Sequence, residues 1–353
     1  MRGHAGSTML SGPSQVFEFV CQQTGRCCRS RWKVELTHYD RVALVAKARG
    51  TPLEAAVAAG VIADDGPADP TAAVEDYERT YHLTKCADGC SFLDGNRCSL
   101  HAGLGAEALP DPCRNFPVIA VATAWGTEVG YNLTCPHAIA LTARSPFRIE
   151  RNDDWERPLD PQQTRASMIP PPEGWRAFRA ARSSAIAALA NEGEADLMAR
   201  VAAAMRAVVP GAWSAESTAA WCDALALEAR IAESVGEAAP FLRTWGEPLA
   251  AAPAWSTIGE GLAAVLALGQ REALARYLQH TLHTIYFRTG LPAARAYPFA
   301  LAAFAAAARM VPALALAYPR GPLEAAIVLV EMGLFGDLRS LAALTLPPSA
   351  PPS

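Results

Sequence analysis

The pattern of hydrophobic positions differs between the front and the back of the chain. From residue 174 to residue 346, apolar residues recur at the three- to four-residue spacing of α-helices, with Gly or Pro between the periodic segments. This part is predicted to be an all-α domain. The predicted helices are 175–190, 194–208, 214–234, 254–268, 270–288, 292–309 and 321–335.

The front of the chain has shorter and more varied patterns. Thr37 is a typical N-cap for a helix through Ala48 that Gly50 stops. Pro52 at a first-turn position begins a second short helix that ends at Gly60. The other predicted elements are a strand at 16–20, a loop at 62–71, a strand at 77–83, a β-hairpin with strands 118–124 and 129–133, and a helix that begins at Cys135-Pro136.

Together these patterns predict a mostly α protein in which a small irregular α+β cysteine-cluster domain precedes the all-α domain. Residues 1–15 show no periodicity and are predicted to be disordered, and the proline-rich, charged segment 144–173 is predicted to be a linker. The predicted limits are 16–143 for the first domain, 174–346 for the second and 347–353 for a flexible tail.

Charge and hydropathy narrow the class of protein. With a net charge of −4 over 353 residues, the chain has no basic excess that would indicate nucleic-acid binding. No apolar run reaches the roughly 20 residues of a membrane span, and the first residues lack the apolar stretch of a secretory signal. We therefore expect a cytoplasmic protein. In that compartment clustered cysteines indicate metal binding or redox chemistry more often than disulfides.

The cysteines are concentrated in the front part, since all nine except Cys222 lie before residue 136. The segment 86–117 has too few regularly spaced apolar residues for a core of its own, and metal ligation would supply the missing constraint. Cys222 lies in an amphipathic pattern and is predicted to be a core residue. The predicted metal ligands are Cys21, Cys27, Cys28, Cys86, Cys90, Cys98, Cys113 and Cys135.

Thiolates suit zinc and iron–sulfur clusters, each of which usually takes four ligands, so these cysteines would serve two sites or one site with reserve thiols. The spacing of Cys86, Cys90 and Cys98 differs from the C-x₃-C-x₂-C of radical S-adenosylmethionine enzymes. Dispersed single cysteines favour an irregular cluster site over a zinc ribbon. The basic residues around Cys27-Cys28 either offset thiolate charge or form a solvated loop. They are Arg26, Arg29, Arg31 and Lys33.

Histidines offer further candidates. His101 and His137 closely follow cysteines and either bind metal or, as is more common, cap or hydrogen-bond a loop. His280 and His283 share one face of a predicted helix with Glu272 and Arg276. His280 or His283 would serve as a general base that removes a proton from a lysine ammonium, but the favoured interpretation is a solvated polar face. No glycine-rich turn in the context of a Rossmann donor site is found.

The cysteine motifs occur together in a known family. They are Cys27-Cys28 followed by Trp32 and VELTHYD at 34–40, Cys90-Ser-Phe-Leu, Cys98-Ser-Leu-His, Leu104-Gly105, Cys113-Arg-Asn-Phe-Pro and Cys135-Pro136. In this order and spacing they resemble the CxxCxxCC-type cysteine-cluster proteins, described as zinc- or iron-chelating, and within that group flagellin lysine-N-methylase. The resemblance covers roughly residues 17–143, and 275–287 resembles the helical half of the methylases more loosely.

The resemblance implies a 4Fe-4S cluster held by these cysteines and methyl transfer from S-adenosylmethionine to lysine ε-amines of a protein such as flagellin. Zinc is the alternative metal. Two departures are visible: Cys21 stands alone where the family pattern has a C-x-x-C, and Asp111-Pro112 replaces the Arg-Pro of the smaller members. Two other functions stay open, which are a non-enzymatic zinc- or iron-binding interaction protein and a redox or electron-transfer protein. No residue is assigned a catalytic role.

Overall fold

The computed structural model describes residues 10–23, 25, 27–29, 33–63, 80–86, 89–123, 126–152, 175–191, 196–208, 214 and 268–289, with scattered helical residues from 297 to 331. Contacts divide the chain into two compact units. The first comprises Met1–Phe19, Pro117–Trp155 and Gln162–Ser353, and the second comprises Val20–Phe116 and Glu156–Pro161. The domain limits expected from the sequence stay a prediction.

Helix is the predominant secondary structure of the described residues, as the sequence predicted, and the strands form small sheets. The helices are α1 (Ser14–Phe17), α2 (His38–Ala48), α3 (Glu54–Gly60), α4 (Ser99–Leu104), α5 (Asp111–Asn115), α6 (Pro136–Arg144), α7 (Trp175–Leu189), α8 (Leu197–Val208) and α9 (Leu268–Thr289). Two 3₁₀ turns are Cys27–Arg29 and Ala106–Ala108.

The strands are short. They are β1 (Leu10–Pro13), β2 (Glu35–Leu36), β3 (Val61–Ala63), β4 (Tyr81–Leu83), β5 (Lys85–Cys86), β6 (Gly89–Cys90), β7 (Leu93–Asp94), β8 (Arg97–Cys98), β9 (Val118–Thr123), β10 (Gly126–Tyr131) and β11 (Ile149–Arg151). None of the helices in the described part of the chain combines the length and apolarity that a membrane crossing requires.

The first unit contains a four-stranded sheet in the order β11-β1-β10-β9. The β9–β10 hairpin was predicted, and its register pairs Thr123 with Gly126 across a two-residue connection. β1 runs parallel to β10 and antiparallel to β11. Gly12 permits this pairing, because a Cβ there would lie 2.6 Å from the carbonyl oxygen of Val129.

Three predictions about this region are wrong. Leu10–Pro13 is a strand inside the sheet, although residues 1–15 were expected to be disordered, and β11 lies inside the expected linker. The predicted strand at 16–20 is absent from the described residues, since α1 covers Ser14–Phe17 and residues 18–20 belong to no strand. Such short segments carry little periodicity, so their partners in the sheet decide their conformation.

The helical predictions for the back of the chain are confirmed where it is described. α7, α8 and α9 match the predicted helices at 175–190, 194–208 and 270–288. The described residues within 292–309 and 321–335 are helical. The predicted helices 214–234 and 254–268 and the residue Cys222 lie outside the described residues.

α9 carries a buried polar stripe, which corrects the interpretation of His280 and His283 as part of a solvated face. Their exposed fractions are 0% and 1%. The backbone N–H of Tyr131 donates to Nε2 of His280 at 2.9 Å, and Nε2 of His283 donates to the carbonyl oxygen of Val129 at 2.9 Å. Both backbone groups belong to β10 and face away from its partner β9. The two imidazoles therefore continue the hydrogen bonding of β10 where β1 has ended.

A buried ion pair joins the same strand to α7. Arg182 donates to both carboxylate oxygens of Glu128, at 2.9 and 2.7 Å. The side chains are 6% and 3% exposed. The guanidinium also lies 5.5 Å from the ring of Phe178. Because removal of one partner would leave a buried charge, the pair is expected to fix the relative position of β10 and α7.

In the second unit, the helices predicted from the clearest local signals are confirmed. Thr37 and Asp40 form a capping box at the start of α2, which ends at Ala48 as predicted. α3 follows Pro52 and ends at Gly60. The antiparallel sheet has the order β2-β4-β3, so β3 occupies the start of the segment predicted as a loop.

Acid should destabilise the first unit through His283. Burial, assisted by the charge of Arg182 and opposed by Glu128, lowers the pKa of His283 to about 4. An unfolded histidine titrates near about 6.5, so between these values the unfolded state binds a proton that the folded state refuses. The contribution to stability is complete above the unfolded pKa and is lost as pH falls, at on the order of 1 kcal/mol per pH unit.

His283→Gln keeps a side-chain N–H for the carbonyl of Val129 but cannot titrate. Urea unfolding of the wild type and this variant at several pH values should therefore give a shallower loss of stability with acid in the variant. Parallel curves for the two proteins would contradict the buried, neutral state of His283.

Candidate metal centre

Two short β-hairpins present Cys90 and Cys98. In the first hairpin, Lys85 of β5 pairs with Cys90 of β6. In the second, Leu93 of β7 pairs with Cys98 of β8. Each cysteine ends its strand, and Cys98 is also the N-cap residue of α4. The hairpins thus place two thiols from a segment that has few apolar residues of its own.

A close backbone approach fixes Cys28 beside the first hairpin. Gly89 has a φ of +127°, and a Cβ there would lie 2.5 Å from the carbonyl oxygen of Cys28 and 2.8 Å from Cα of Arg29. The same carbonyl accepts a hydrogen bond from Nζ of Lys85 at 3.5 Å. The absence of a side chain at residue 89 is therefore a condition for this approach.

The second hairpin holds the same segment from another side. Gly25 has a φ of +67°, and a Cβ there would lie 2.7 Å from the carbonyl oxygen of Asn96. The guanidinium of Arg29 donates to the carbonyl oxygen of Gly95 at 2.5 Å. Arg29 thus binds backbone in the turn of the second hairpin, which the interpretation as a counter-charge for thiolates did not anticipate.

Cys113 is presented by α5, which begins after Pro110. The carbonyl oxygen of Pro110 accepts the backbone N–H groups of Cys113 and Arg114, both at 2.9 Å. The guanidinium of Arg114 also pairs with the carboxylate of Asp111 within this helix. These bonds order the short helix from which Cys113 packs against the apolar core of the second unit.

An apolar core lies behind these thiols. Cys90 is itself a buried member of it, and Cys28, Cys98 and Cys113 pack against it while partly buried. The core also contains Val34, Leu36, Leu44, Ala48, Val57, Val61, Ala63, Tyr81, Leu83, Phe92 and Leu100. The thiols therefore lie at the boundary between a packed core and the loop segments.

The four thiols influence one another electrostatically. Burial raises the pKa of Cys90, Cys98 and Cys113. Negative charge on Cys28 raises the pKa of each of these thiols further, and Cys90 and Cys98 do the same for Cys113. Thiols from four separate segments of the second unit thus lie within range of one another's charge.

Other groups act in the opposite direction. The backbone N–H of Phe92 lowers the pKa of Cys90, and that of His101 lowers the pKa of Cys98. The ammonium of Lys85 lowers the pKa of both Cys90 and Cys113. Sequence reasoning missed Lys85, although its position directly before a cysteine was a signal. Among the predicted cations, Lys33 is exposed, and Arg26 and Arg31 lie outside the described residues.

The remaining cysteines differ from these four. Cys21 is exposed, and its sulfur accepts the backbone N–H of Gln23 at 3.4 Å. Cys86 is also exposed, and its thiol donates to the carbonyl oxygen of Gly89 at 3.4 Å, although its charge still raises the pKa of Cys90. Cys135 is the N-cap residue of α6 in the first unit. The side chain of Cys27 lies outside the described ones.

In the described part of the chain, no three His, Cys, Asp or Glu side chains are close enough together to bind one metal ion. The set of predicted ligands therefore stays a prediction. His101 is partly buried on α4. The ring of His137 packs against Phe19 with a centroid separation of 5.5 Å.

Comparison with protein-family models, with curated proteins and with solved structures gave no match. The resemblance to the cysteine-cluster methylases thus rests on the motifs themselves.

Gly89→Ala should disrupt the approach of Cys28 to the first hairpin. The variant combines a positive φ, which costs a residue with a side chain roughly 1–2 kcal/mol, with a collision against the backbone of residues 28 and 29. Gly105→Ala is the matched control, because Gly105 has a φ of +86° and no atom within 4 Å of the added Cβ.

We expect Gly89→Ala to lower the free energy of unfolding by clearly more than Gly105→Ala, as measured by urea unfolding. If both variants lower the free energy of unfolding equally, the close backbone approach at Cys28 does not contribute to stability.

Proposed function

We propose that the protein binds a metal through Cys28, Cys90, Cys98 and Cys113, and that it is an iron–sulfur methyltransferase of the flagellin lysine-N-methylase type. The observation that carries the metal centre is the packing of Cys28, Cys98 and Cys113 against the core that contains Cys90, and the mutual electrostatic influence of these thiols supports it. The methyl-transfer activity is supported by the sequence resemblance. The finer architecture, a cysteine-cluster domain followed by an all-α domain, is part of the same proposal.

The donor set suits the proposed group. Four soft thiolates are the usual complement of a 4Fe-4S cluster and of a structural zinc. Burial and mutual repulsion oppose ionisation of these thiols, and a bound cation would reverse both effects. Lys85 adds one positive charge beside Cys90 and Cys113. When bound, the metal would cross-link the four segments at the edge of the apolar core.

In the proposed reaction, a neutral lysine ε-amine of the substrate protein attacks the methyl carbon of S-adenosylmethionine. The N–C bond forms as the C–S bond breaks, S-adenosylhomocysteine leaves, and the methylated amine loses a proton. His280 and His283 are poor candidates for the base, because both rings are buried and both Nε2 atoms bond to β10. We therefore assign no catalytic base among the described residues.

A non-enzymatic zinc or iron protein is the second candidate. It is favoured by the packing of Cys28, Cys98 and Cys113 against the apolar core that contains Cys90. A metal bound at such a boundary stabilises the fold directly, as structural zinc does. In this case the metal would shape a docking surface without a chemical step.

Metal analysis of the full-length protein purified without oxygen tests the centre. We expect iron together with acid-labile sulfide. Substitution of Cys28, Cys90, Cys98 or Cys113 by Ser should each remove most of the metal, because a four-ligand thiolate site rarely tolerates loss of a ligand. A colourless protein that contains zinc would refute the cluster and leave the second candidate.

Cys21→Ser is the matched control for these substitutions. Cys21 is exposed and is not among the groups that shift the pKa of the buried thiols. The variant should keep the wild-type metal content. Loss of metal equal to that of Cys113→Ser would show that the ligand set is not the four thiols proposed.

The activity is tested separately with labelled S-adenosylmethionine and flagellin. We expect label on lysine side chains, located by mass spectrometry, and we expect the Cys113→Ser variant to lose it. An unlabelled substrate in the presence of intact, metal-loaded protein would favour the non-enzymatic candidate.

A further inference from the structure

The carboxylate of Asp40 serves the N-termini of two helices at once. Its Oδ2 accepts hydrogen bonds from the backbone N–H and the hydroxyl of Thr37, at 3.1 and 2.7 Å, which forms part of the capping box of α2. Its Oδ1 accepts the backbone N–H of Asp111, the first residue of α5, at 2.9 Å. A capping box requires only the first of these interactions. The second joins α2 to the helix that carries Cys113.

α2 holds the approach to α5 at another point. Lys47, in the last turn of α2, donates through Nζ to the carbonyl oxygen of Glu107 in the 3₁₀ turn. Asp40 and Lys47 are about two helical turns apart, or roughly 10 Å along the axis. α2 therefore binds the segment before Cys113 at two points: Asp40, near the start of α2, binds Asp111, and Lys47, near its end, binds Glu107.

We propose that Asp40 is a positioning residue for Cys113, because its second carboxylate oxygen fixes the helix that presents this thiol. The inference rests on the proposed metal centre. α5 has 5 residues, which is too short for a helix to be stable alone, so its orientation depends on bonds to its surroundings. Its first N–H groups have no partner inside the helix, and a carboxylate is the strongest neutral-pH acceptor for one of them.

The experiment uses full-length, reduced, metal-free protein and Co²⁺ as the probe. Tetrahedral cobalt absorbs through bands whose position and intensity report how many thiolates bind it. Asp40→Ala removes both interactions of the carboxylate. Thr37→Val is the matched control, because it removes the hydroxyl of the capping box but leaves Asp40 and its bond to Asp111 in place. The alkylation rate of Cys113 by iodoacetamide is measured in the same metal-free samples, with Cys98 as the internal reference.

If Asp40 positions Cys113, Asp40→Ala binds Co²⁺ roughly 10-fold or more weakly, with a spectrum of fewer thiolates, as expected when a supporting residue of a metal site is lost. Cys113 is alkylated faster in this variant than in the wild type, whereas Cys98 is not. Thr37→Val resembles the wild type in both measurements. Where Asp40→Ala fails to fold, Asp40→Asn takes its place, since its single carbonyl oxygen can serve one of the two helices.

Two outcomes would overturn the inference. In the first, Asp40→Ala leaves both the Co²⁺ affinity and the alkylation rate of Cys113 unchanged. In the second, Thr37→Val changes both quantities as much as Asp40→Ala does, which would show that Asp40 acts only as a cap of α2. Failure of the wild type itself to bind Co²⁺ refutes the proposed metal centre. In that event the alkylation rate of Cys113 still decides whether Asp40 positions this residue.

Discussion

The second unit depends on the contact between the backbone of residues 28–29 and Gly89. This contact leaves no room for a side chain, and it fixes one cysteine-bearing segment against the hairpin that ends in Cys90. Gly25 makes a similar approach to the second hairpin. Cys28, Cys98 and Cys113 pack against the core that contains Cys90, and the charges of these thiols affect one another.

The sequence predicts those elements whose signals are local. Thr37 as the N-cap and Gly50 as the stop predicted α2 to the residue, and alternating residues predicted the β9–β10 hairpin. It could not predict β1, because Leu10–Pro13 acquires a strand conformation only by pairing with β10 and β11. The burial of His280 and His283 was missed for a related reason. Their partners are backbone groups on a strand about 150 residues earlier, and helical periodicity carries no information about them.

For the candidate site, the motifs singled out the cysteines, but their grouping required the fold. Spacing alone gave equal standing to Cys21 and Cys113, which the structure separates by exposure and by electrostatic neighbours. Neither Lys85 nor Asp40 was assigned to the candidate site from the sequence. Lys85 directly precedes a cysteine, but the effect of its charge on Cys90 and Cys113 depends on the fold. The bond between Asp40 and the backbone of Asp111 joins positions 71 residues apart, so no local pattern predicts it.

The hydrogen bonds from α9 to β10 have a consequence for association between chains. Val129 and Tyr131 present backbone groups at a point where β1 no longer covers the strand, and an uncovered strand edge is a template for pairing with another polypeptide. The two imidazoles occupy those groups with side chains that cannot propagate a sheet. α9 thereby blocks this edge of β10 from pairing with another strand. A fragment that ends before residue 268 would leave this edge of β10 uncovered. Such fragments are expected to aggregate even where they keep their secondary structure.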